Sequence, residues 1–163
     1  AQEIMRQAPD RVLRLALLDT SARADTPEQT ERRKDLLSLA GQRKFKGVTP
    51  RLLPFLLHKD RLADAPLVNT VMAMAESVGP AAFFRQQQAI MGRVDGRGDL
   101  ARIRCPMLVL CGREDAITPL AVHEEMVAAA RSARLTVVER CGHLSTLECP
   151  DEVSAELRRW LLE

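Results

Sequence analysis

The sequence predicts an α/β fold with about three parallel strands, near residues 12–18, 107–111 and 135–138. These segments are predominantly apolar without regular alternation, a pattern typical of strands that are covered on both faces. Helical patterns separate them, as in parallel sheets whose strands are joined by crossover helices. A chain of 163 residues is long enough for one domain of this kind with a hydrophobic core.

The beginning of the chain predicts a helix followed by a strand. Residues 2–8 carry an apolar stripe at helical spacing that ends at Pro9, and polar residues close the strand near residues 12–18. A helix that leads into a strand is the second half of a β-α-β unit. We therefore expect the chain to begin inside such a unit.

Residues 22–104 differ in character, because strand-like runs give way to helix start and stop signals. A Thr-Pro pair and a capping glutamine predict a helix from Pro27 to about Arg43. A Gly-Pro pair at Gly79 predicts a break between two later helices. Further helices are predicted to begin near Pro50, Pro66 and Phe83.

The remainder of the chain returns to strands that alternate with helices. The strands near residues 107–111 and 135–138 each lead through a glycine turn towards a helix. The stripe of the terminal helix that is predicted to face the core consists of Val153, Leu157, Trp160 and Leu161. We therefore divide the chain into a partial α/β core, residues 1–21 and 105–163, and an inserted helical cap, residues 22–104.

Two chemically capable side chains follow the last two predicted strands. Asp115 lies in the loop after the first of these strands, and His143 lies after the second. The carboxyl ends of neighbouring parallel strands meet at one edge of a sheet, so we expect the two side chains to lie close together. A carboxylate beside an imidazole fixes its tautomer and stabilises its protonated form. The residues alone equally allow a structural turn at Asp115 and a structural loop residue at His143.

The segments around this pair resemble the α/β-hydrolase family. They are residues 110–119, LCGREDAITP, and residues 142–148, GHLSTLE, and the resemblance covers nearly the whole chain. The family order is nucleophile, acid, histidine, and Asp115 and His143 match the last two positions. Within the family, the chain looks most like bacterial enol-lactonases and carboxylesterase-like hydrolases with a four-helix cap.

The sequence departs from the family at the nucleophile. The elbow motif Gly-x-Ser-x-Gly, which exposes a serine at a strand-to-helix turn, is absent from the 163 residues, as is the oxyanion-hole loop that precedes it. Ser21 ends a predicted strand, but its neighbours are not the small residues that an elbow needs. We therefore expect a truncated hydrolase that starts after its serine, through an internal translation start or through cleavage, and that is inactive alone.

The resemblance implies hydrolysis of a carboxylic ester or lactone by a serine-histidine-aspartate mechanism. The serine, outside this chain, would attack the carbonyl, His143 would transfer its proton, and Asp115 would orient His143. No cofactor and no metal would be needed. The side chains expected to shape an apolar substrate pocket are Met72, Met74, Phe83 and Phe84. The alternatives are a non-catalytic binding or interaction protein that retains the scaffold, and a cofactor-independent oxygenase or haloperoxidase.

Composition limits the partners of the protein. The 24 basic and 22 acidic residues give a net charge of +2, and aromatic residues make up 3%, so we expect no nucleic-acid partner. The longest apolar runs have the length of strands, so we expect no membrane partner and a cytoplasmic location with free cysteines. The strand near residues 12–18 would have an unpaired edge, and we expect a homo-oligomer to cover it.

Overall fold

The computed structural model describes residues 1–42 and 48–163 and contains the expected parallel sheet. The strands are β1 (Leu15–Leu18), β2 (Met107–Gly112) and β3 (Ala133–Val138). Their order is β1-β2-β3, and both neighbouring pairs are parallel. The predicted fold class, an α/β fold with three parallel strands and flanking helices, is confirmed.

The first strand is shorter than predicted. It begins at Leu15. Earlier in the chain, the N–H of Val12 donates to the Pro9 carbonyl at 3.1 Å and closes a 3₁₀ turn over Pro9–Arg11, so Val12 does not pair in the sheet. Leu13, next to this turn, is 85% exposed. The run of apolar residues in the sequence therefore begins before the residues that pair in the sheet.

Helices occupy most of the rest of the described chain. They are α1 (Gln2–Gln7), α2 (Pro27–Gln42), α3 (Leu53–Leu56), α4 (Ala65–Met91), α5 (Arg97–Leu100), α6 (Leu120–Ala129), α7 (Ser145–Glu148) and α8 (Pro150–Leu162). The predicted helix near Pro50 is only four residues long, and α5 occupies a segment that carried no helix signal. Arg43, the predicted end of α2, lies outside the described residues.

Helix α4 is broken where the Gly-Pro pair predicts. Gly79 has φ 73° and ψ 172°, a backbone conformation that favours glycine, and Pro80 cannot donate a helical hydrogen bond. By length and mean composition α4 could cross a membrane, although its longest uninterrupted apolar run, residues 71–75, has the length of a strand. One such helix is weak evidence for a membrane segment, because core helices of other proteins have the same composition.

Strand β2 lies at the centre of the core. All six of its residues are buried, and its two faces are covered by different apolar clusters. Val109 packs with β1 and with Met126 of α6, whereas Leu110 packs with Val138 and Val153. A central strand that is covered on both faces holds the loop at its carboxyl end in a fixed position.

The terminal helix presents most of its predicted stripe to the core. Val153 and Trp160 are buried, and Leu157 is partly buried against the same cluster as Val153. Leu161 is 56% exposed, so its predicted burial is wrong. At about 100° per residue it lies about 80° from Val153 around the helix, at the edge of the stripe.

Candidate active site

The loops that follow β2 and β3 are joined through their backbones. The N–H of Arg113 donates to the Val138 carbonyl at 2.8 Å, which continues the strand pairing past the end of β2. A Cβ on Gly112 would lie 2.1 Å from the Gly142 carbonyl oxygen. Only glycine permits this approach, and the two loops therefore share one rigid base.

Asp115 organises its own loop with both carboxylate oxygens. Its Oδ1 accepts hydrogen bonds from the backbone N–H groups of Ile117 and Thr118, each at 2.8 Å. The Thr118 hydroxyl donates to Oδ2 at 2.7 Å. The side chain forms a local turn that leaves Oδ2 directed towards the neighbouring loop.

His143 lies against this carboxylate. Its Nδ1 is 2.9 Å from Asp115 Oδ2, so the two sequence-predicted residues are in contact. Burial alone would raise the pKa of Asp115, but the hydrogen bonds from His143 and Thr118 outweigh burial and lower it. An ionised carboxylate only accepts, so the imidazole carries its proton on Nδ1 and has a free lone pair on Nε2.

Hydrogen bonds to α3 and to the residues just after it hold the loop of His143 in place. The N–H of His143 donates to the Leu56 carbonyl at 3.0 Å. The buried carboxylate of Glu148 accepts from the N–H of Gly142 at 2.9 Å and from the N–H of His58 at 2.7 Å. These bonds fix the histidine loop to the helical segment between β1 and β2.

Asp19 is a site residue that the sequence interpretation did not single out. Its Oδ2 accepts hydrogen bonds from the hydroxyl of Ser145 at 2.5 Å and from its N–H at 3.2 Å, and its Oδ1 accepts from the Gly112 N–H at 3.3 Å. Burial raises the pKa of Asp19, and the bonds from Ser145 offset this only in part. Its position directly after β1, at the same edge of the sheet as the loop of Asp115, was the available signal.

His123 was also missed, and it has a structural arrangement. The ring is completely buried in α6, and its Nε2 accepts a hydrogen bond from the Thr20 N–H at 3.1 Å. Its Nδ1 lies 3.4 Å from the Pro119 carbonyl, and burial lowers its pKa. A neutral ring with both nitrogens engaged fixes the loop after β1, and no pattern in the sequence marks it.

Two cavities meet at His143. The apolar cavity has a volume of about 510 Å³ and is lined by His143 together with Leu56, Val71, Met74, Val78, Phe83 and Leu147. The polar cavity has a volume of about 440 Å³ and is lined by His143 together with Thr20, Ser21, Arg23, Arg33 and Arg93. A molecule that reached the imidazole could therefore place unlike groups on its two sides.

The predicted pocket residues divide into two groups. Met74 and Phe83 line the apolar cavity. Phe84 packs edge-to-face against Phe83, with ring centroids 6.2 Å apart, and Met72 is half-buried, but neither lines that cavity. The role of these four side chains in a substrate pocket stays a prediction.

The described residues contain no group of three or more His, Cys, Asp or Glu side chains placed to hold a metal ion. All four cysteines are free, and Cys141, two residues before His143, is completely buried. Burial raises the pKa of the Cys141 thiol strongly, which disfavours a thiolate nucleophile.

The chain is similar in sequence to known hydrolases. The sequence model described as "Alpha/beta hydrolase family" matches residues 4–156. The chain is 28% identical over 158 residues to RutD of Azorhizobium caulinodans, which is named as a putative carbamate hydrolase. This match covers 91% of this chain and 57% of RutD. It is 27% identical to the pimeloyl-[acyl-carrier protein] methyl ester esterase of Nitrosomonas europaea, over 90% of this chain and 60% of that one.

A solved structure agrees closely with the fold. A thermophilic esterase from Thermogutta terrifontis, described with malate bound, superposes with a TM-score of 0.91 at 29% identity. The match covers 98% of this chain and 59% of the esterase. The chain thus spans somewhat more than half the length of the relatives it matches.

Proposed function

Because the chain belongs to the α/β-hydrolase family, we propose that it supplies the acid and the histidine of a hydrolase that acts on carboxylic esters or lactones. The observation that carries this proposal is the 2.9 Å contact between His143 Nδ1 and Asp115 Oδ2. It leaves Nε2 without a hydrogen bond to the described residues, at the point where the two cavities meet. An oriented imidazole with a free lone pair in a cleft has the arrangement of a general base.

The proposed reaction follows from these positions. His143 Nε2 accepts the proton of a serine hydroxyl as the serine oxygen attacks the ester carbonyl. Asp115 stabilises the imidazolium, which then gives its proton to the leaving alcohol oxygen. A water molecule repeats the sequence in reverse and releases the acid. The serine and the oxyanion donors would come from residues outside these 163, because the sequence contains no nucleophile elbow.

Residues 22–104 would form a cap over the site. Two observations support this: α4 lines the apolar cavity with Met74 and Phe83, and the Leu56 carbonyl accepts the N–H of His143. A segment that is bonded to the histidine loop and also walls a cavity would control which substrates reach the imidazole.

The relatives support an ester-like substrate. Two of them are named as esterases, and a third carries the name of a carbamate hydrolase. Esters, lactones and carbamates share a carbonyl carbon bonded to a leaving oxygen or nitrogen. The same nucleophile, base and acid would serve each of them, and the cap would choose among them.

The test compares the 163-residue chain with a form that is extended upstream to include a serine elbow, with p-nitrophenyl acetate as substrate. We expect the extended form to hydrolyse the ester, and His143→Gln to lower its kcat by at least about 10³-fold. Thr146→Ala, at an exposed position of α7 three residues after His143, is the matched control and should retain activity. Hydrolysis by the 163-residue chain itself, lost in His143→Gln, would contradict the proposed source of the serine.

A binding protein that retains the scaffold is the second candidate, because the sequence lacks an elbow while two cavities persist. A fluorophosphonate probe separates the two, since it reacts covalently with an activated serine. Labelling of the extended form favours the hydrolase. An upstream reading frame without an elbow serine, together with an absence of labelling, favours the binding protein.

A further inference from the structure

The polar cavity is lined by three arginines, and two of them already have anionic partners. Arg33 Nε lies 2.6 Å from Asp25 Oδ2, and Arg23 Nε lies 2.7 Å from Glu125 Oε2. The side chain of Arg93 forms no hydrogen bond or ion pair with the described residues. One guanidinium in the wall of this cavity is therefore uncompensated.

The carboxylates around Arg93 are engaged by other groups. Glu3, which lines an adjoining hollow with Arg93, accepts hydrogen bonds from Arg6 and Gln7. Asp19, which lines the polar cavity, accepts hydrogen bonds from Ser145. These two carboxylates line cavities with Arg93, but their hydrogen bonds are to other groups.

The position of the Arg93 side chain also has a cost. Its Nε is shielded from solvent and has no hydrogen-bond partner in the described part of the chain. A shielded polar atom without a partner destabilises a fold. Solvent does not reach this Nε, so a ligand would bind the two terminal nitrogens of the guanidinium, which are not among the shielded atoms without a partner. The forked donors of a guanidinium match the two oxygens of a carboxylate.

We infer that the substrate of this site carries a carboxylate, which Arg93 binds in the polar cavity while the apolar part of the substrate occupies the apolar cavity. The inference rests on the proposed function for the position of the ester or lactone bond, which lies beside His143 where the cavities meet. A guanidinium can bind either a carboxylate or a phosphate bidentately, but one unpaired guanidinium would leave one charge of a phosphate dianion uncompensated, so a carboxylate fits better. The substrate class is a half-ester or an acid-bearing lactone.

Binding of two matched esters to the 163-residue chain tests the inference without any need for a nucleophile. Monomethyl adipate carries an ester and a carboxylate, and methyl hexanoate carries a similar ester without the charge. We expect monomethyl adipate to bind at least about tenfold more tightly by calorimetry, since one charge-assisted contact distinguishes them. Its binding should also shift the NMR signals of the His143 imidazole, which lines the same cavity.

Variants of two arginines provide the matched comparison. Arg93→Gln should remove the preference for the charged ester, and Arg93→Lys should retain part of it, because a lysine keeps the charge without the fork. Arg102→Gln, whose side chain is 85% exposed, should leave the preference unchanged. Thermal unfolding of each variant shows whether the fold is retained.

The outcomes separate this inference from the proposed function. Equal affinities for the two esters, a preference that survives Arg93→Gln, or no binding of either ester at about 10 mM overturns the carboxylate site. Hydrolysis of p-nitrophenyl acetate by the extended form, without a preference for charged esters, leaves the hydrolase standing and refutes the inference. Tighter binding of the charged ester, with no hydrolysis by the extended form, supports the carboxylate site and refutes the proposed function.

Discussion

Asp19 and Asp115 follow neighbouring strands at the same edge of the sheet, yet they accept hydrogen bonds from different groups. Asp115 faces the imidazole of His143 and the turn of its own loop. Asp19 faces Ser145 in the histidine loop and the N–H of Gly112 at the end of β2. The comparison shows that a strand end brings a carboxylate to the site, and that its partners determine what the carboxylate does there.

The pKa values of the two carboxyl groups shift in opposite directions, and the different contacts explain why. Burial acts to raise the pKa of both carboxyls. At Asp115 the hydrogen bonds from His143 and Thr118 outweigh burial, and the pKa is lowered. At Asp19 burial outweighs the bonds from Ser145, and the pKa is raised. In the proposed hydrolase Asp115 would therefore orient the base, whereas Asp19 joins the loop after β2 to the segment that follows His143.

The largest expected difference between the two carboxylates is in activity. In the extended form, Asp115→Asn should lower kcat by about 10³- to 10⁴-fold, because an amide nitrogen at Oδ2 would donate to Nδ1 and move the imidazole proton to Nε2. Asp19→Asn, which does not contact the imidazole, should lower kcat by less than about tenfold. Steady-state kinetics with p-nitrophenyl acetate measures both, and equal losses would remove the distinction between the two residues.

The second expected difference is in stability. Asp19→Asn should lower the free energy of unfolding of the 163-residue chain by about 2–3 kcal/mol, because an amide cannot accept from both donors of Ser145 and from Gly112. Asp35→Asn, at an exposed position of α2, is the matched control and should change it by less than about 0.5 kcal/mol. Urea unfolding measures these values. A loss at Asp19 no larger than at Asp35 would refute its joining role.

The sequence was sufficient to predict three parallel strands, although not the start of the first, and the contact between Asp115 and His143. Three predominantly apolar runs, separated by helical patterns, predict a parallel sheet, and the ends of neighbouring parallel strands must meet at one edge. The 2.9 Å contact confirms that the two side chains lie together. Their catalytic roles, and the cap assignment of residues 22–104, stay predictions.

The parts that the sequence did not predict depend on contacts between distant residues. Ser145 lies 126 residues from Asp19, and no local pattern connects them. The buried carboxylate of Glu148 accepts an N–H 90 residues away, at His58. Met72 and Met74 both lie in α4, but of the two only Met74 lines the apolar cavity.

A smaller effect identifies which atom of the histidine loop Asp19 requires. Ser145→Ala removes the hydroxyl donor and leaves the Ser145 N–H bond to Asp19 Oδ2 in place. We expect a loss of about 1 kcal/mol in the free energy of unfolding, and a further rise in the pKa of Asp19. Ser154→Ala, at an exposed position of α8, should have little effect. A loss equal to that of Asp19→Asn would mean that the hydroxyl accounts for the whole joining role.

The smallest effect is the pH dependence of stability, in which the two carboxylates should have opposite signs. Asp19 has a folded-state pKa above its ordinary value of 3.8, so its contribution is fully present below that value and is lost as pH rises through the raised pKa. Asp115 has a lowered pKa, so its contribution is present above 3.8 and is lost as pH falls through the lowered value. Each change amounts to about 1.4 kcal/mol for every unit of pKa shift.

Urea unfolding at a series of pH values measures these slopes through the difference between the unsubstituted chain and each asparagine variant. As pH falls from 7 towards 4, the advantage of the native Asp19 over asparagine should grow. Below pH 4 the advantage of the native Asp115 should shrink, because protonation removes the charge that holds the imidazole. Slopes of the same sign would show that burial governs both carboxylates, and the difference between the two loops would then lie in geometry alone.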